Sequence, residues 1–382
     1  MSKVEDLLCA LMRGKGPSWP VDADTQYASN LLERAEYHGV LSLAHDQLQR
    51  EPEIAKDWPP AIVKACRDTA LGQAMWELQH RSLLTQVLEQ LALIGVRPVL
   101  FKGTALAYGL YPEGAIRSRG DTDLIIPSGS LPQVDTALTA LGFERETGMS
   151  GEFVSYQGSY THVQPGVGGH TLDVHWRINN SELLSRLFTH AELLERASPL
   201  PQLSPLALAA GLADALLIAC MHRATHKENP YYVDGVAHYS GDRLIWLYDI
   251  HLLLNALSPA QCDEFIAQAD AKGLRAVCLE GIEKARASFH TPVSDNILTA
   301  LGRKGMIESP ARYLNGSRWR QQWMDFVALG SPPARLRFVR ETVFPPAHYM
   351  RQKYPNANNG VAWLYLQRAV GGLTKRLRRA NR

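Results

Sequence analysis

The stretch Arg117-Ser-Arg-Gly-Asp-Thr-Asp-Leu-Ile-Ile-Pro127 decides the fold of this chain. Asp121 and Asp123 lie two residues apart, and the apolar run Leu124–Ile126 follows them as a strand that enters a core. Because side chains alternate along a strand, both carboxylates must project from the same face. Two adjacent carboxylates repel each other, and a hard cation relieves that repulsion. The pattern therefore predicts a metal clamp, with an ordinary Gly-Asp turn as the alternative for such a pair taken alone.

A second feature lies upstream, where the apolar run Val96–Phe101 ends at Lys102-Gly-Thr. This run predicts a buried strand, and Ala105–Tyr111 predicts a helix that begins directly after the glycine. Glycine lets a phosphate approach the backbone, a hydroxyl can bond a phosphate oxygen, and a helix N-terminus offers free N–H groups. Gly103 and Thr104 therefore predict an anion cradle, although a simple turn is the alternative for such a junction.

A third carboxylate comes from Asp173, which lies in the segment Thr171–Ile178, where the period-two alternation predicts a half-buried strand. Pairing of this strand beside the first would bring Asp173 alongside Asp121 and Asp123. Three such carboxylates can hold two divalent cations, Mg²⁺ or Mn²⁺, which bridge a triphosphate and lower the pKa of an attacking hydroxyl. Asp121 and Asp123 would hold the nucleotide-bound metal, and Asp173 would complete the second metal site and act as general base.

The order of strand and carboxylates disfavours a competing site. Phosphatases of the haloacid-dehalogenase type also use Asp-x-Asp, but their apolar strand precedes the aspartates. Here the apolar residues follow Asp123, and Arg-Ser-Arg-Gly precedes Asp121.

Basic side chains near these carboxylates are candidates for contacts with the nucleotide. Lys102 and Arg117 could neutralise phosphate charge, with Arg119 as a weaker candidate. The alternative for each is a surface charge or a partner for the aspartates. His175 shares the face of Asp173 and could orient a carboxylate, contact the nucleotide or donate a proton, with a structural histidine as the alternative.

Polar residues further along the chain carry weaker signals. His222 and Asp249 fall in helical sequence, where a buried hydrogen-bonded pair is the expected role. His226 and Tyr231-Tyr232 lie in a polar segment that could form a substrate loop.

Three segments together resemble the uncharacterised nucleotidyltransferase-like family of the DNA polymerase β superfamily. They are Val99–Tyr111, then Arg117 with Gly120–Leu124, then Leu172–Trp176. The resemblance implies metal-dependent transfer of a nucleoside monophosphate from a nucleoside triphosphate to a hydroxyl or phosphate acceptor. The acceptor would be a small molecule, a peptide or protein, or RNA. A non-catalytic nucleotide- or nucleic-acid-binding module that retains the fold is the alternative.

The pattern of that superfamily is an apolar strand, Gly-Ser or Gly-Gly, a helix, an acidic pair with one residue between, and a third acidic residue in a later strand. Gly103, Asp121, Asp123 and Asp173 fall on those positions. Thr104 departs from the usual serine or glycine, and the interval from the glycine to the acidic pair is longer than in the superfamily.

The patterning predicts an α+β fold, in which a small mixed β-sheet nucleotidyltransferase core with helices is flanked by helical regions. The predicted regions are an N-terminal helical region at 1–60, the α/β core at 61–180 and a C-terminal helical domain at 181–382. A long helix with leucines at helical spacing is expected to stop near Gly95. Short strands of the core are predicted at Phe143–Thr147, Glu152–Tyr156 and Tyr160–Val163.

Composition places the chain among ordinary globular proteins, since 20% of its 382 residues are charged and 46% are apolar. The net charge of +2 does not indicate a nucleic-acid partner, although one is left open. The basic tail Lys375–Arg379 is expected to be a solvated helix end. The expected partners are therefore a nucleoside triphosphate and an unidentified acceptor.

Cysteine usage and hydropathy suggest a compartment. The five cysteines have no paired spacing, which predicts a reducing environment. The longest apolar stretch, Leu206–Met221, is interrupted by Asp214 and is too short to span a bilayer. The N-terminus has no signal-peptide pattern. These observations predict a cytoplasmic protein with no membrane partner.

Overall fold

The computed structural model describes residues 2–146, 152–164, 168–227, 231–233, 236–238, 241–303, 305, 307–354 and 360–368. The helices of this part, numbered α1 to α18 in chain order, are Lys3–Met12, Thr25–His38, Leu41–Arg50, Pro52–Asp57, Pro60–Leu93, Lys102–Gly109, Leu131–Ala140, Glu182–Ser185, His190–Glu195, Leu212–His226, Leu244–Ala256, Pro259–Ala271, Arg275–Phe289, Asp295–Leu301, Ser309–Leu314, Arg318–Ala328, Pro332–Val343 and Ala347–Lys353. Residues 361–368 are also helical.

The strands, numbered β1 to β9, are Val99–Phe101, Asp121–Ile125, Glu144–Arg145, Gln157–Gln164, Gly168–His175, Ser198–Pro199, Leu208–Ala209, Tyr231–Val233 and Val236–His238. Within the described residues β1 to β7 form one sheet in the order β3-β4-β5-β2-β1-β7-β6, and β8 pairs with β9. The sheet is mixed, because β1 is antiparallel to β2 while β5 is parallel to β2. A mixed sheet with flanking helices confirms the predicted α+β class.

The long helix α5 follows the predicted pattern. It begins at Pro60, whose fixed φ suits the first turn of a helix, and it ends two residues before Gly95. The chain reverses at Gly95 with φ +73°, a conformation that favours glycine. The buried leucines of α5 pack, together with α7, against Leu100, Leu124 and Val174 on one face of the sheet.

The opposite face of the sheet meets the helical regions. Val99, Phe101 and Ile125 join a hydrophobic cluster with α10, α11 and α13. Because Asp121 and Asp123 alternate with buried Thr122 and Leu124, the two carboxylates share the face of Ile125. The helical regions therefore cover the same side of the sheet that carries the carboxylates.

The same hydrophobic cluster includes residues from α1, α2 and α3 as well as from α10 to α14. An N-terminal helix also contacts the C-terminal region directly, since the Arg13 guanidinium donates to the carbonyl oxygen of Ser288 at 2.8 Å. The division into regions 1–60, 61–180 and 181–382 stays a prediction.

Three predicted strands differ from the observed ones. The prediction of a strand at Glu152–Tyr156 is wrong, because residues 152–154 form a turn whose N–H groups at Glu152 and Phe153 donate to the carboxylate of Glu341. Of Phe143–Thr147 only Glu144–Arg145 is a strand, and Thr147 lies outside the described residues. The strand with Asp173 runs over Gly168–His175, so it begins earlier and ends sooner than the alternation predicted.

In the described part of the chain, no helix has both the length and the apolar character that a membrane crossing requires. The basic tail at 375–379 lies outside the described residues.

Candidate active site

The carboxylates are aligned by strand pairing. Strands β2 and β5 run parallel, and their register places Asp121 opposite Thr171 and Asp123 opposite Asp173. The predicted pairing of the Asp173 strand beside the Asp121-Asp123 strand is confirmed. Residues opposite each other in neighbouring strands project from the same face, so Asp123 and Asp173 lie side by side.

Asp123 is the most strongly neutralised of the three carboxylates. Its side chain is buried, and its Oδ1 accepts from Lys102 Nζ at 2.6 Å and contacts His175 Nε2 at 2.9 Å. Burial alone would raise the pKa of Asp123, but the Lys102 ammonium and the hydrogen bond from His175 hold that pKa well below its usual range. Asp123 is therefore a carboxylate anion at neutral pH.

Asp121 and Asp173 have the opposite character. The Asp121 side chain is open to solvent on one side, but protein surrounds most of it. This partial burial and the charges of Asp123 and Asp173 raise the pKa of Asp121 to about 6. Burial also raises the pKa of Asp173, although Ser159 Oγ donates to it at 2.6 Å and partly opposes the shift. Gln157 Nε2 donates to the second oxygen of Asp173 at 3.1 Å.

One group of side chains has the spacing to hold a metal ion. Ligand atoms of Asp123, Asp173 and His175 all lie within 4.8 Å of one another. Two carboxylates and one imidazole form a mainly oxygen donor set, which fits Mg²⁺ or Mn²⁺. Asp121 projects from the same face two residues before Asp123, at the start of β2, but is not part of this group.

This group differs from the predicted metal set of Asp121, Asp123 and Asp173 in two ways, since it includes His175 and leaves out Asp121. The sequence placed His175 on the face of Asp173 but assigned it to the nucleotide, and the geometry adds it to the group that could hold a metal. The signal was present as Asp-x-His in a strand, since residues two apart share a face. Ser159 and Gln157, which fix Asp173, carried no signal in the sequence.

The junction between β1 and α6 brings a positive charge to Asp123. Lys102 adopts φ +57°, a left-handed conformation that is uncommon for residues other than glycine. The next residue, Gly103, lies so close to Arg117 that a Cβ there would be 2.9 Å from Arg117 Nη1. Glycine is thus needed at this position for the approach of a guanidinium, in addition to any approach of a phosphate.

Thr104 does not line the cavity. Its side chain is fully buried, its Oγ1 lies 2.7 Å from Thr122 Oγ1, and it accepts from Arg119 Nε at 3.0 Å. The predicted bond from the Thr104 hydroxyl to a phosphate is corrected accordingly, because neighbouring side chains inside the protein already occupy that hydroxyl. Of the predicted anion cradle, Lys102 and Gly103 line the cavity.

Arg117 is held in a buried ion pair. Its Nε and Nη2 donate to the two carboxylate oxygens of Asp249 at 3.0 and 2.6 Å, and Tyr111 donates to the same carboxylate at 2.7 Å. The expected pairing of His222 with Asp249 is therefore wrong, because Asp249 is buried but bonded to Arg117. Arg119 is likewise paired, with Glu77 at 2.6 Å.

The three carboxylates, together with Lys102, Arg117 and His175, line a cavity of about 680 Å³. One wall is the carboxylate face of the sheet, and the other comes from α10 and α11. A cavity of this volume is within the range of small-molecule and nucleotide sites. Residues of the helical wall include Ile218, Met221, His222, Thr225, His226 and Trp246.

A family model described as uncharacterised nucleotidyltransferase matches residues 24–290, which is more than half of the chain. The chain belongs to this uncharacterised nucleotidyltransferase family. The matched range runs from α2 through α13 and includes the strands with the carboxylates and both walls of the cavity. A comparison with curated proteins finds no match.

Proposed function

We propose that this protein is a metal-dependent nucleotidyltransferase that transfers a nucleoside monophosphate from a nucleoside triphosphate to a hydroxyl or phosphate acceptor. The observation that supports it most directly is the alignment of Asp121, Asp123 and Asp173 on one sheet face, at the wall of a cavity large enough for a nucleotide. The family membership supports the same reaction class.

The metal residues have distinct roles in this proposal. Asp123 and Asp173 would hold the divalent cation, Mg²⁺ or Mn²⁺, with His175 as a further ligand. Asp121 would face the metal-bound nucleotide. When bound, the cation would neutralise triphosphate charge and lower the pKa of the acceptor hydroxyl. Asp173 accepts the proton of that hydroxyl, and Ser159 and Gln157 keep its carboxylate oriented.

The cationic residues bind the phosphates. Lys102 has a flexible stem and lines the cavity, so its ammonium can turn from Asp123 to a phosphate oxygen. Arg117 is fixed by Asp249, so it supplies a positive charge beside Gly103 without moving. The backbone N–H of Gly103, at the start of α6, is a further donor for an anion.

A nucleotide-binding module without turnover is the second candidate, and Lys102 favours it. Its ammonium already neutralises Asp123 at 2.6 Å, so a nucleotide could bind beside it without a metal. Titration of nucleoside triphosphates with and without Mg²⁺ separates the two functions. Equal binding in both titrations, with no transfer, would favour the module.

Labelled nucleotides test the transferase. The protein is incubated with a cell extract and a nucleoside triphosphate labelled at the α- or the γ-phosphate. We expect α-label, but not γ-label, to become attached to an acceptor, because the acceptor oxygen bonds to the α-phosphorus while the β- and γ-phosphates leave as pyrophosphate. Asp121→Asn and Asp123→Asn should abolish labelling, whereas Asp263→Asn, at an exposed aspartate of α12, should not. Full activity of both site variants would refute the proposal.

A further inference from the structure

Three aromatic rings lie on the helical wall of the cavity, among aliphatic and polar side chains and beside the Arg243 guanidinium, which is 5.7 Å from the centre of the Trp246 ring. His222 and His226 of α10 lie with ring centroids 4.6 Å apart, and Trp246 of α11 lies 5.4 Å from His222 and 6.1 Å from His226. We call these three residues the ring wall. Trp246 is buried behind the histidines, His222 is half-buried and His226 is exposed to the cavity.

Both imidazoles of the ring wall are neutral at pH 7. Solvent reaches His226 through the cavity, but protein surrounds most of its ring; this partial burial and the nearby charge of Lys102 lower the pKa of His226 to about 4. Burial, His226 and Lys102 together place the pKa of His222 well below its ordinary value. A neutral imidazole offers a flat uncharged face, one donor and one acceptor nitrogen. Within the described part of the chain these ring nitrogens have no hydrogen-bond partner, so they are available to a ligand.

The two walls of the cavity suit the two ends of one molecule. The sheet wall carries three carboxylates and Lys102, which suit a metal and a triphosphate, while the ring wall has no charged group among its three residues. Lys102, Asp123 and both histidines line the same cavity of about 680 Å³, a volume within the range of nucleotide sites. A nucleobase suits the ring wall, because it is an uncharged planar heterocycle that can stack on rings and bond to imidazole nitrogens.

We propose that the ring wall binds the nucleobase of the donor nucleotide, with His226 as its stacking surface and His222 as its hydrogen-bonding partner. This inference rests on the proposed function. It goes further by dividing recognition between the ring wall, which binds the base, and the sheet wall, which binds the triphosphate.

Calorimetric binding of two probes tests the inference: ATP, and inorganic tripolyphosphate, which has no base. Both are titrated with Mn²⁺ into wild type, His226→Ala, His226→Phe and His45→Ala, a half-buried histidine outside the cavity. We expect His226→Ala to lower the affinity for ATP by about fivefold or more, which is the low end for loss of one stacked ring. The affinity for tripolyphosphate should not change. His226→Phe, which keeps the ring, should retain most of the ATP affinity.

The outcomes separate this inference from the proposed function. If wild type binds neither probe, the proposed function fails and the inference fails with it. If wild type binds both probes and His226→Ala changes neither affinity, only the inference is overturned. Equal losses for both probes would also overturn it, since the residue would then act on the phosphates or on the fold.

A second inference comes from the C-terminal residues 309–382. They contain 14 of the 40 Lys and Arg residues but only 2 of the 38 Asp and Glu residues. Both acidic residues are engaged within the protein: Asp325 accepts from Ser181 Oγ at 2.7 Å, and Glu341 accepts from backbone N–H groups at Glu152 and Phe153. The near-zero charge of the whole chain thus conceals a strongly cationic C-terminal region.

The same region exposes apolar side chains in stripes. Trp319, Trp323 and Val327 recur every four residues along α16 and are all more than half exposed. Along α17, Leu336, Val339 and Val343 follow the same helical spacing and are also exposed. Arginines adjoin both stripes in sequence, at Arg318, Arg320 and Arg340. Arg337 is already paired with Glu152 and Glu341.

We infer that the surface formed by α16 and α17 binds an anionic lipid bilayer. Cationic side chains attract anionic headgroups, and tryptophan with aliphatic residues inserts at the boundary between headgroups and acyl chains. Single-stranded RNA could bind the arginines and stack on the tryptophans, but it has no apolar surface to pack against the aliphatic stripe of α17. This inference departs from the expectation of no membrane partner, and it does not depend on the proposed function.

Co-sedimentation with vesicles tests the surface. The full chain is mixed with vesicles of phosphatidylglycerol and phosphatidylcholine, or of phosphatidylcholine alone. We expect pelleting with the anionic vesicles only, reduced by salt and reduced several-fold in the double variant Trp319→Ser/Trp323→Ser. The control is Leu71→Ser/Leu78→Ser, two exposed apolar residues of α5. Absence of pelleting, or pelleting that both double variants share, would overturn the inference, as would tight binding of a single-stranded RNA oligonucleotide without vesicle binding.

Discussion

At the scale of single residues, the site depends on a crowded junction between β1 and α6. Lys102 takes a left-handed conformation, and Gly103 lies against the Arg117 guanidinium. Arg117 cannot move away easily, because Asp249 binds it through two hydrogen bonds. Strained or crowded backbone of this kind is retained where the surrounding structure requires it.

Gly103→Ala is expected to lower the free energy of unfolding by about 1–3 kcal/mol, because the added Cβ overpacks the junction. It should also impair nucleotide binding by displacing Arg117 and Lys102. Urea unfolding and calorimetry measure the two effects. The matched control is Gly72→Ala in α5, where a Cβ would meet nothing within 4 Å and where alanine is the better helix former. Equal free energies of unfolding for the Gly103 variant and wild type would contradict the claim that a Cβ at this position overpacks the junction.

At the scale of elements, one buried ion pair connects the segment before β2 with α11. Arg117 and Asp249 are separated by 132 residues in sequence, and Tyr111 completes the bonding of the carboxylate. Since β2 carries Asp121 and Asp123 while α11 carries Trp246, this pair sets the relative position of the two cavity walls.

Asp249→Ala should destabilise the protein by about 3–5 kcal/mol, because it leaves the Arg117 guanidinium buried without its partner. Thermal and urea unfolding measure the loss. Glu53→Ala removes an exposed partner of Lys56 at 2.7 Å and serves as control, with an expected change below about 1 kcal/mol. If the two substitutions lowered the free energy of unfolding by similar amounts, the buried Arg117–Asp249 pair would contribute no more to stability than an exposed ion pair.

At the scale of the whole molecule, neutral histidines buried in separate places make stability depend on pH. Burial places the pKa of His80 well below its ordinary value, with Arg119 and His170 adding to the shift, and burial also lowers the pKa of His38. The unfolded chain binds protons at these groups from about pH 6.5 downward, whereas the folded protein does not. Their contribution to stability is therefore complete above that pH and is lost as the pH falls.

We expect His80→Gln to lose less free energy of unfolding than wild type does as the pH is lowered from 7 to 5. Asp121 acts in the opposite direction, because with a pKa of about 6 it binds a proton in the folded protein that the unfolded chain does not bind, so the histidine contribution is the difference between variant and wild type. Glutamine can still bond Thr122 Oγ1, which lies 2.6 Å from His80 Nε2, but it takes up no proton. Urea titrations at several pH values give the slopes. Gln47→Ala, at a residue of α3 that binds no proton, serves as control and should keep the wild-type slope. A His80 variant as acid-sensitive as wild type would contradict the argument.

Features that depend on short-range periodicity were predictable from the sequence. Alternation along a strand placed Asp121 and Asp123 on one face, and it placed His175 with Asp173. The leucine spacing of α5 and its end near Gly95 followed from helical geometry in the same way. These predictions held because each involves residues within a few positions of each other, where backbone geometry alone decides.

By itself, therefore, the sequence determined that carboxylates would face one side of an α+β sheet and which family the pattern resembles. Only the tertiary structure decided which groups meet there: Asp123 with Asp173 and His175, Arg117 with Asp249, and the Thr104 hydroxyl turned away from the cavity. The physical reason is that such pairings depend on strand register and helix packing between distant segments, and buried charges select partners by the geometry that packing creates.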